Sequence, residues 1–171
     1  MKLNVLEVDI RPWEPNDSFQ EITELLHLAY NALAQQGLHY NASHQPTSQT
    51  QERLARGQSF VATCQNRLVG TISLYEGGPR SYHQYYKREG LYYFGQFAVH
   101  PEFQGHGIAK KLYQTVEDLA KWQGGTEIAL DTAEPARDLI DTYQRWGFKI
   151  VDTANWDSTN YASVIMAKPL L

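Results

Sequence analysis

The segment QFAVHPEFQGHGIA, from Gln96 to Ala109, contains the strongest local signals in this chain of 171 residues. It continues an apolar, aromatic stretch that predicts a strand over 91–99, buried on both faces, which Pro101 ends. A helix is then predicted over 105–122, because apolar residues recur there at helical spacing. They are Ile108, Leu112, Val116 and Leu119. The segment is therefore interpreted as a buried strand, a turn and the glycine-bearing start of a helix.

The two glycines of this segment, Gly105 and Gly107, fall where the helix is predicted to begin. Backbone N–H groups in the first turn of a helix have no partner within it, and they give that end about half a positive charge. Glycine also lets a ligand approach the backbone closely. The pattern suits a phosphate or pyrophosphate, while the glycine spacing alone leaves a capped turn without a ligand as the alternative.

A dinucleotide-binding fingerprint is a rival interpretation of the same glycines. Lys110 stands where the third small residue of that fingerprint is expected, although Glu127 lies at the distance of a ribose-binding acid. The motif also lies past the middle of the chain, and too few residues follow position 131 for the second half of such a fold. These departures disfavour a dinucleotide-binding protein.

The composition narrows the class of protein further. Fifteen basic and nineteen acidic residues give a net charge of −4, which argues against a nucleic-acid partner. There is no run of about 18 apolar residues, and Met1 to Arg11 has no apolar core of signal-peptide length. Together with the single cysteine, Cys64, these features predict a cytoplasmic protein with no membrane partner, no disulfide and no multi-cysteine zinc site.

The order of the other elements predicts an α/β fold. Hairpins connect the early strands, whereas the strand–helix–strand unit over 91–131 requires a parallel crossover. A mixed sheet with helices on both faces follows. The other strands are predicted over 6–10, 59–63, 68–75, 127–131, 148–151 and 162–167, and the other helices over 22–33, 50–55 and about 139–143. We expect Asn16 or Asp17 to cap the first helix, and residues 80–90 to form a mobile loop.

The 96–109 segment resembles the acetyl-CoA signature of the GNAT acyltransferase superfamily, Q/R-x-x-G-x-G/A, which Gln104, Gly107 and Ala109 fill. Residues 143–148, YQRWGF, resemble the Tyr-then-Gly-Phe segment of the same family. The resemblance implies a single domain over 1–171 with the acyl-CoA N-acyltransferase-like fold, whose sheet is mostly antiparallel. It also implies transfer of an acetyl group from acetyl-CoA to a primary amine of a small molecule, amino acid or peptide, by direct attack in a ternary complex.

The resemblance further implies a coenzyme site in this segment. Backbone amides from Gly105 through Ala109 would hold the pyrophosphate, with the Gln104 side chain supporting the loop. Phe97 and Val99 would pair with the pantetheine arm, and the amide of Phe97 or Ala98 would polarise the thioester carbonyl. The implied cofactor-binding residues are Phe97, Ala98, Val99, Gln104, Gly105, His106, Gly107, Ile108, Ala109 and Lys110.

Tyr143 matches the tyrosine that in this family often protonates the departing thiolate, a general-acid role. The alternative is a packed side chain, because Tyr143 continues the apolar stripe of Leu139 and Ile140. Two positions depart from the family pattern. Ala136 replaces a frequent asparagine that contacts coenzyme A, so that contact is either lost or supplied by Thr132 or Arg137. Gln96 replaces a frequent glutamate that serves as the general base or orders it, and glutamine takes no proton at neutral pH.

The general base therefore stays open, with His44, Glu76, His83 or a relayed water as candidates. A tyrosine cluster before the motif strand predicts either an acceptor pocket for an apolar or cationic group or ordinary packing. It consists of Tyr82, Tyr85, Tyr86, Tyr92 and Tyr93. No paired ligand spacing indicates a metal, and a homodimer is left open. A coenzyme A-binding module without turnover is the alternative function, since Gln96 and Ala136 depart from the family pattern.

Overall fold

A computed structural model describes residues 7–171, which build one seven-stranded sheet in the order β1-β2-β3-β4-β5-β7-β6. Within those residues only β4 and β5 pair in parallel, and every other neighbouring pair is antiparallel. This confirms the predicted mixed, mostly antiparallel sheet. The strands are β1 (Asp9–Pro12), β2 (Gln58–Cys64), β3 (Arg67–Glu76), β4 (Leu91–Val99), β5 (Glu127–Ala133), β6 (Lys149–Ala154) and β7 (Ser163–Pro169).

Helices cover both faces of the sheet, as predicted. They are α1 (Phe19–Gln35), α2 (Thr47–Arg56), α3 (Ile108–Trp122) and α4 (Arg137–Arg145). One buried cluster joins α1 and α2 to Val61 of β2, and a second joins α3 and α4 to the next residue, Ala62. Because successive strand residues point to opposite faces, the two clusters lie on opposite sides of the sheet.

The first helix begins differently from the prediction. Its cap is Ser18, whose hydroxyl accepts the amide of Glu21 at 3.2 Å. Asp17 is instead held by Arg11 at 2.7 Å, and it also accepts the amide of Glu14. The guanidinium therefore draws the carboxylate away from the helix end. The strand predicted over 6–10 is observed at Asp9–Pro12, and residue 6 lies outside the described residues.

Two further segments differ from expectation. Residues 80–90 contain a 3₁₀ turn at Gln84–Lys87, and burial of Tyr86 ties this turn to the body of the protein. Helix α3 starts at Ile108 rather than at Gly105, because Gly105 and Gly107 have φ angles of +81° and +77°. Those left-handed values, which glycine adopts at no steric cost, belong to a turn and not to a helix.

The centre of the sheet opens at β4 and β5. These strands pair at only three positions, the last being Tyr93 with Ala129, and beyond them no residues of the two strands pair. Opposite the opening, Gln96 and Phe97 face a single residue of β3, which is a β-bulge with Gln96 at φ +49°. The bulge bends β4 away from β5 and creates a gap between the ends of the two strands.

Candidate functional site

The end of β4 presents backbone groups to this gap. The His100 amide donates to the Val69 carbonyl at 2.8 Å, which makes Val99 and Gly70 a non-hydrogen-bonded pair. Alternation then turns the backbone groups of Ala98 toward β3 and those of Val99 toward the gap, and Phe97 follows in the bulge. Of the two amides predicted to polarise a thioester, that of Ala98 is therefore turned to β3, which leaves the amide of Phe97 as the candidate. The Gln104 side chain donates to the Val99 carbonyl at 3.3 Å, so it joins the loop to this strand end.

The start of α3 is a row of unpartnered amides. The first helical bond runs from Lys111 to Gly107 at 3.2 Å, and the amides of residues 105–110 have no acceptor among the described residues. A Cβ on Gly105 or Gly107 would meet nothing within 4 Å, so open space lies beside the backbone there. Consecutive free N–H groups at a helix N-terminus bind anions, and the residues present therefore fit a pyrophosphate.

The side chains around these amides contribute less to an anion-binding site than the amides themselves do. Ile108 is buried at 2% exposure and Ala109 is half-buried, so both fix the helix end in the core. His106 is exposed. The Nζ atom of Lys110 lies 5.5 Å from the centroid of the Trp146 ring, a cation–π distance that holds this charge beside the first turn.

Tyr143 lies on α4 with its ring edge-on to three aromatic rings. The ring centroids of Phe94, Trp146 and Phe148 lie 5.6 to 6.2 Å away. The ring is thus packed, but its hydroxyl forms no hydrogen bond with the described residues 7–171. Burial, and then the charges of Tyr40 and Asp131, raise the pKa of this phenol above its usual value. Tyr143 therefore keeps its proton at neutral pH and has a hydroxyl that is free to donate it.

Two tyrosines tether the ends of the diverging strands, and no local sequence signal indicated them. The Tyr30 hydroxyl donates to the Phe97 carbonyl of β4 at 2.8 Å. The Tyr40 hydroxyl accepts the Ala133 amide of β5 at 3.0 Å and bonds Thr132 at 2.8 Å. The two rings lie 5.2 Å apart, so they form a wall across the gap.

Gln96 is fixed as a hydrogen-bond acceptor. Its Oε1 accepts from Nε2 of Gln45 at 2.9 Å, and Gln45 is only 1% exposed. Gln45 in turn accepts from Arg53 at 2.8 Å. This network supports the bulge and leaves Gln96 without a role in proton transfer.

Thr132 and Arg137 were the two residues expected to contact coenzyme A in place of an asparagine at position 136. Thr132 is already bonded to Tyr40 at 2.8 Å and is buried. Arg137 is exposed at the start of α4. Of the two side chains, that of Arg137 is therefore the one with freedom to reach a ligand.

A cavity of about 1190 Å³ lies on the other side of the gap. The ends of β3 and β6, the middle of β4, and residues 77–83, 154–159 and 161 form most of its walls, and Arg53 and Arg56 of α2 also line it. The predicted tyrosine cluster divides here: Tyr82, Tyr86 and Tyr93 line the cavity. Tyr92 is buried in the core, and the Tyr85 hydroxyl donates to Glu127. Part of the cluster therefore forms a pocket and part of it only packs.

The three side chains predicted as candidates for a general base differ in whether they reach the cavity. Glu76 and His83 line the cavity, and His44 is absent from its lining. Both ring nitrogens of His83 are occupied, since Nδ1 accepts the Tyr85 amide at 3.0 Å and Nε2 bonds the Thr153 carbonyl at 2.9 Å. With Nε2 as the donor, His83 has no free lone pair for a substrate proton.

Asp131 is a cavity residue that sequence reasoning missed. It is exposed within the cavity, where its Oδ1 accepts the Tyr86 hydroxyl at 2.9 Å and its Oδ2 accepts Trp156 Nε1 at 3.1 Å. The surrounding protein raises the pKa of this carboxyl by desolvation. The only signal in the sequence was a single acidic residue closing an apolar strand, which does not distinguish a site from a solvated strand end.

The described residues, 7–171, contain neither a cluster suited to a metal ion nor a helix that could span a membrane. No group of three or more His, Cys, Asp or Glu side chains is arranged there to hold a metal ion. Within the same range, each helix is too short or too polar to cross a membrane.

This chain is similar in sequence to known acetyltransferases. A sequence profile described as the Acetyltransferase (GNAT) family matches residues 19–148. N-acetyltransferase 8B from Homo sapiens is 33% identical over 90 residues, 53% of this chain and 37% of that protein. N-alpha-acetyltransferase 30 from Schizosaccharomyces pombe is 32% identical over 90 residues, 53% of this chain and 56% of that protein. The match therefore spans about half of this chain, and less than two thirds of either relative.

A solved structure shares the whole architecture. The PaiA N-acetyltransferase from Thermoplasma acidophilum, determined in complex with coenzyme A, superposes with a TM-score of 0.72. It is 17% identical, and the alignment covers 96% of this chain and 99% of that chain. This likeness confirms the predicted acyl-CoA N-acyltransferase-like fold.

Proposed function

This chain belongs to the GNAT family of acetyltransferases, and we propose that it transfers an acetyl group from acetyl-CoA to a primary amine of a small molecule, amino acid or peptide. The observation that supports this most directly is the row of unpartnered amides over 105–110, placed beside the gap between β4 and β5. The coenzyme A complex of the structural neighbour supports the same donor.

The chain's own residues hold the donor through backbone groups. The amides of residues 105–110 bind the pyrophosphate, with Lys110 adding a positive charge. The backbone groups of Phe97 and Val99 pair with the pantetheine arm, in place of the missing part of β5. Their carbonyls already accept from Tyr30 and Gln104, and each oxygen keeps a second lone pair for the ligand. Bound acetyl-CoA supplies an activated thioester at the gap.

Two groups then act on the thioester. The Phe97 amide donates to its carbonyl oxygen, which gains negative charge when an amine attacks. The Tyr143 hydroxyl donates its proton to the departing sulfur. The amine attacks directly, because Cys64 is 5% exposed in the core and does not serve as an acyl carrier.

The test measures thiol release from acetyl-CoA in the presence of alkyl amines, amino acids and short peptides, with products identified by mass spectrometry. We expect an acetylated amine and an equal amount of free coenzyme A. Thermal unfolding gives an independent readout, because acetyl-CoA at a hundred times its Kd should stabilise the protein by about 2.7 kcal/mol. Absence of stabilisation by millimolar acetyl-CoA and coenzyme A would exclude the proposal.

A second candidate is a coenzyme A-binding module without turnover. The structure favours it at one point, because Gln96 is tied to Gln45 and does not act as a base. Strong stabilisation by acetyl-CoA, with no acetylated product from any amine of the panel, would support this second function over the first.

A further inference from the structure

We propose that Asp131 binds the ammonium group of the acceptor and takes its proton, and that the acceptor is a primary amine carried on an apolar or aromatic body. The inference rests on the proposed acetyl transfer and concerns the acceptor side of the same site.

The position of Asp131 places it at the gap. It lies two residues beyond Ala129, which is the last residue of β5 paired with β4. The next residue, Thr132, is buried and bonded to Tyr40, whereas Asp131 points into the cavity. The carboxylate therefore stands where the cavity meets the opening between the strands.

Two neutral donors hold the carboxylate and leave it unneutralised. Tyr86 and Trp156 each donate to one of its oxygens, and each oxygen keeps a further lone pair. Among the described residues no lysine or arginine forms an ion pair with Asp131. Because the carboxylate is exposed to the cavity, solvent stabilises its charge there, and a ligand that displaces this solvent must offer another partner for the charge. A cationic ligand would supply the missing partner.

The aromatic part of the cavity lining suits a cation with an apolar body, and the arginines of that lining, Arg53, Arg56 and Arg80, form no ion pair with Asp131. The Tyr86 ring stacks on Tyr93 with 4.7 Å between centroids and an angle of 6°, which fixes the hydroxyl that holds Asp131. The rings of Tyr40 and Tyr161 lie 5.0 Å apart on another part of the lining. Aromatic faces attract an ammonium group and also bury the carbon skeleton that carries it.

The fold places the same carboxylate beside the gap, because Asp131 and Tyr40 line one cavity and the next residue, Thr132, bonds Tyr40. Its charge contributes to the raised pKa values of both Tyr143 and Tyr40. The raised pKa of Asp131 itself makes it a stronger base than a solvated carboxylate. The rival His83 has both ring nitrogens engaged.

The step balances without a further reactant. Asp131 takes one proton from the ammonium group and later releases it to solvent. The nitrogen lone pair forms the C–N bond with the acetyl carbon, and the electron pair of the broken C–S bond leaves with sulfur. Tyr143 gives its proton to the sulfur and regains one from the newly acylated nitrogen.

The first test is a binding comparison in the presence of coenzyme A. The probes are 2-phenylethylamine and its neutral analogue 2-phenylethanol, measured by calorimetry with the wild-type protein and with Asp131→Asn. A charged hydrogen bond predicts that the wild type binds the amine about ten- to a hundredfold more tightly than the alcohol. Asp131→Asn should lose this preference. Asp157→Asn, which removes another cavity-lining carboxylate, should keep it.

Equal affinity of the wild type for the two probes would overturn the inference without any variant, and so would an unchanged preference in Asp131→Asn. Because this readout needs no turnover, it is separate from the test of acetyl transfer. Where turnover is observed, Asp131→Asn should lower kcat/KM for 2-phenylethylamine about a hundredfold or more. Hydroxylamine is largely unprotonated at neutral pH, so its turnover should change little. Equal losses with both nucleophiles would count against proton removal.

Discussion

Two proposed binding regions meet at the gap between β4 and β5, and they are built in opposite ways. The start of α3 offers backbone amides of six consecutive residues, 105–110. The cavity across the gap offers side chains from distant segments, such as Tyr30, Asp131 and Trp156. Binding through backbone amides requires particular residues in one short motif only. Binding through side chains requires particular residues at positions far apart in the chain.

Tyr143→Phe tests the reaction centre between the two regions, and we expect the largest effect there. Loss of a general acid should lower kcat about a hundredfold or more. The Kd for acetyl-CoA should stay the same, because the ring packing against Phe94, Trp146 and Phe148 is preserved. Steady-state kinetics and calorimetry give the two quantities.

The matched control for this variant is Tyr113→Phe. Tyr113 belongs to the same aromatic group and stacks on Trp146 at 4.9 Å, but its hydroxyl meets Lys168 and not the gap. It should keep kcat within a few-fold of the wild type. If Tyr143→Phe also keeps its kcat, the tyrosine is a packing residue only.

Gly107→Val tests recognition by the backbone. A β-branched residue at φ +77° is strained, and its side chain enters the open space beside the amides. We expect the Kd for acetyl-CoA to rise at least about tenfold, equal to ~1.4 kcal/mol of binding free energy. Isothermal titration with acetyl-CoA measures this change.

Gly124→Val is the control. Gly124 has φ +85° and lies at the other end of the same helix, and a Cβ added to it would also meet nothing within 4 Å. Both variants should lose about 1–2 kcal/mol of unfolding free energy from the left-handed conformation. Only Gly107→Val should lose affinity. If the two variants bind acetyl-CoA with the same affinity, the glycine motif is not part of the coenzyme-binding site.

Tyr40→Phe tests how side chains hold the gap open. It removes the acceptor for the Ala133 amide and the partner of Thr132. An unpaired buried amide should lower the free energy of unfolding by about 1–2 kcal/mol. Denaturant unfolding measures this loss. Tyr161→Phe changes the neighbouring ring, and its hydroxyl forms no hydrogen bond among residues 7–171, so its stability should be unchanged. If Tyr40→Phe leaves the free energy of unfolding unchanged, the hydrogen bonds of this hydroxyl are not needed for stability.

The contrast between the two regions also explains which features of the fold and the site could be predicted from the sequence. The strand over 91–99 was predicted with its observed bounds, and the residues of the glycine motif lie together at the start of α3. Asp131 and Tyr30 were missed because their roles depend on pairing across long sequence separations. The bond from Tyr30 to Phe97 spans 67 residues, and that from Ala133 to Tyr40 spans 93.

The bulge was missed for a related reason. Gln96 adopts φ +49° although it is not glycine, and it does so where a buried partner, Gln45, holds its side chain. A residue's local preference does not reveal such a conformation, because tertiary contacts compensate its cost. The start of α3, which the sequence placed at Gly105 and the structure places at Ile108, was misplaced for a different reason. Glycine adopts the left-handed φ angles of Gly105 and Gly107 at no steric cost, so the sequence does not show whether these residues continue the helix or form the turn before it.

Lys110→Gln has the smallest expected effect and tests whether side chains matter on the backbone side. An exposed ion pair between this lysine and a phosphate contributes about 0.2–1 kcal/mol, which predicts an acetyl-CoA Kd weaker by up to about fivefold at low salt. Lys111→Gln removes an exposed charge from the same turn without the contact to Trp146, so it should change the Kd less. Screening by salt should remove the difference between the two variants. A loss much larger than fivefold for Lys110→Gln would mean that this region, like the cavity, depends on a specific side chain.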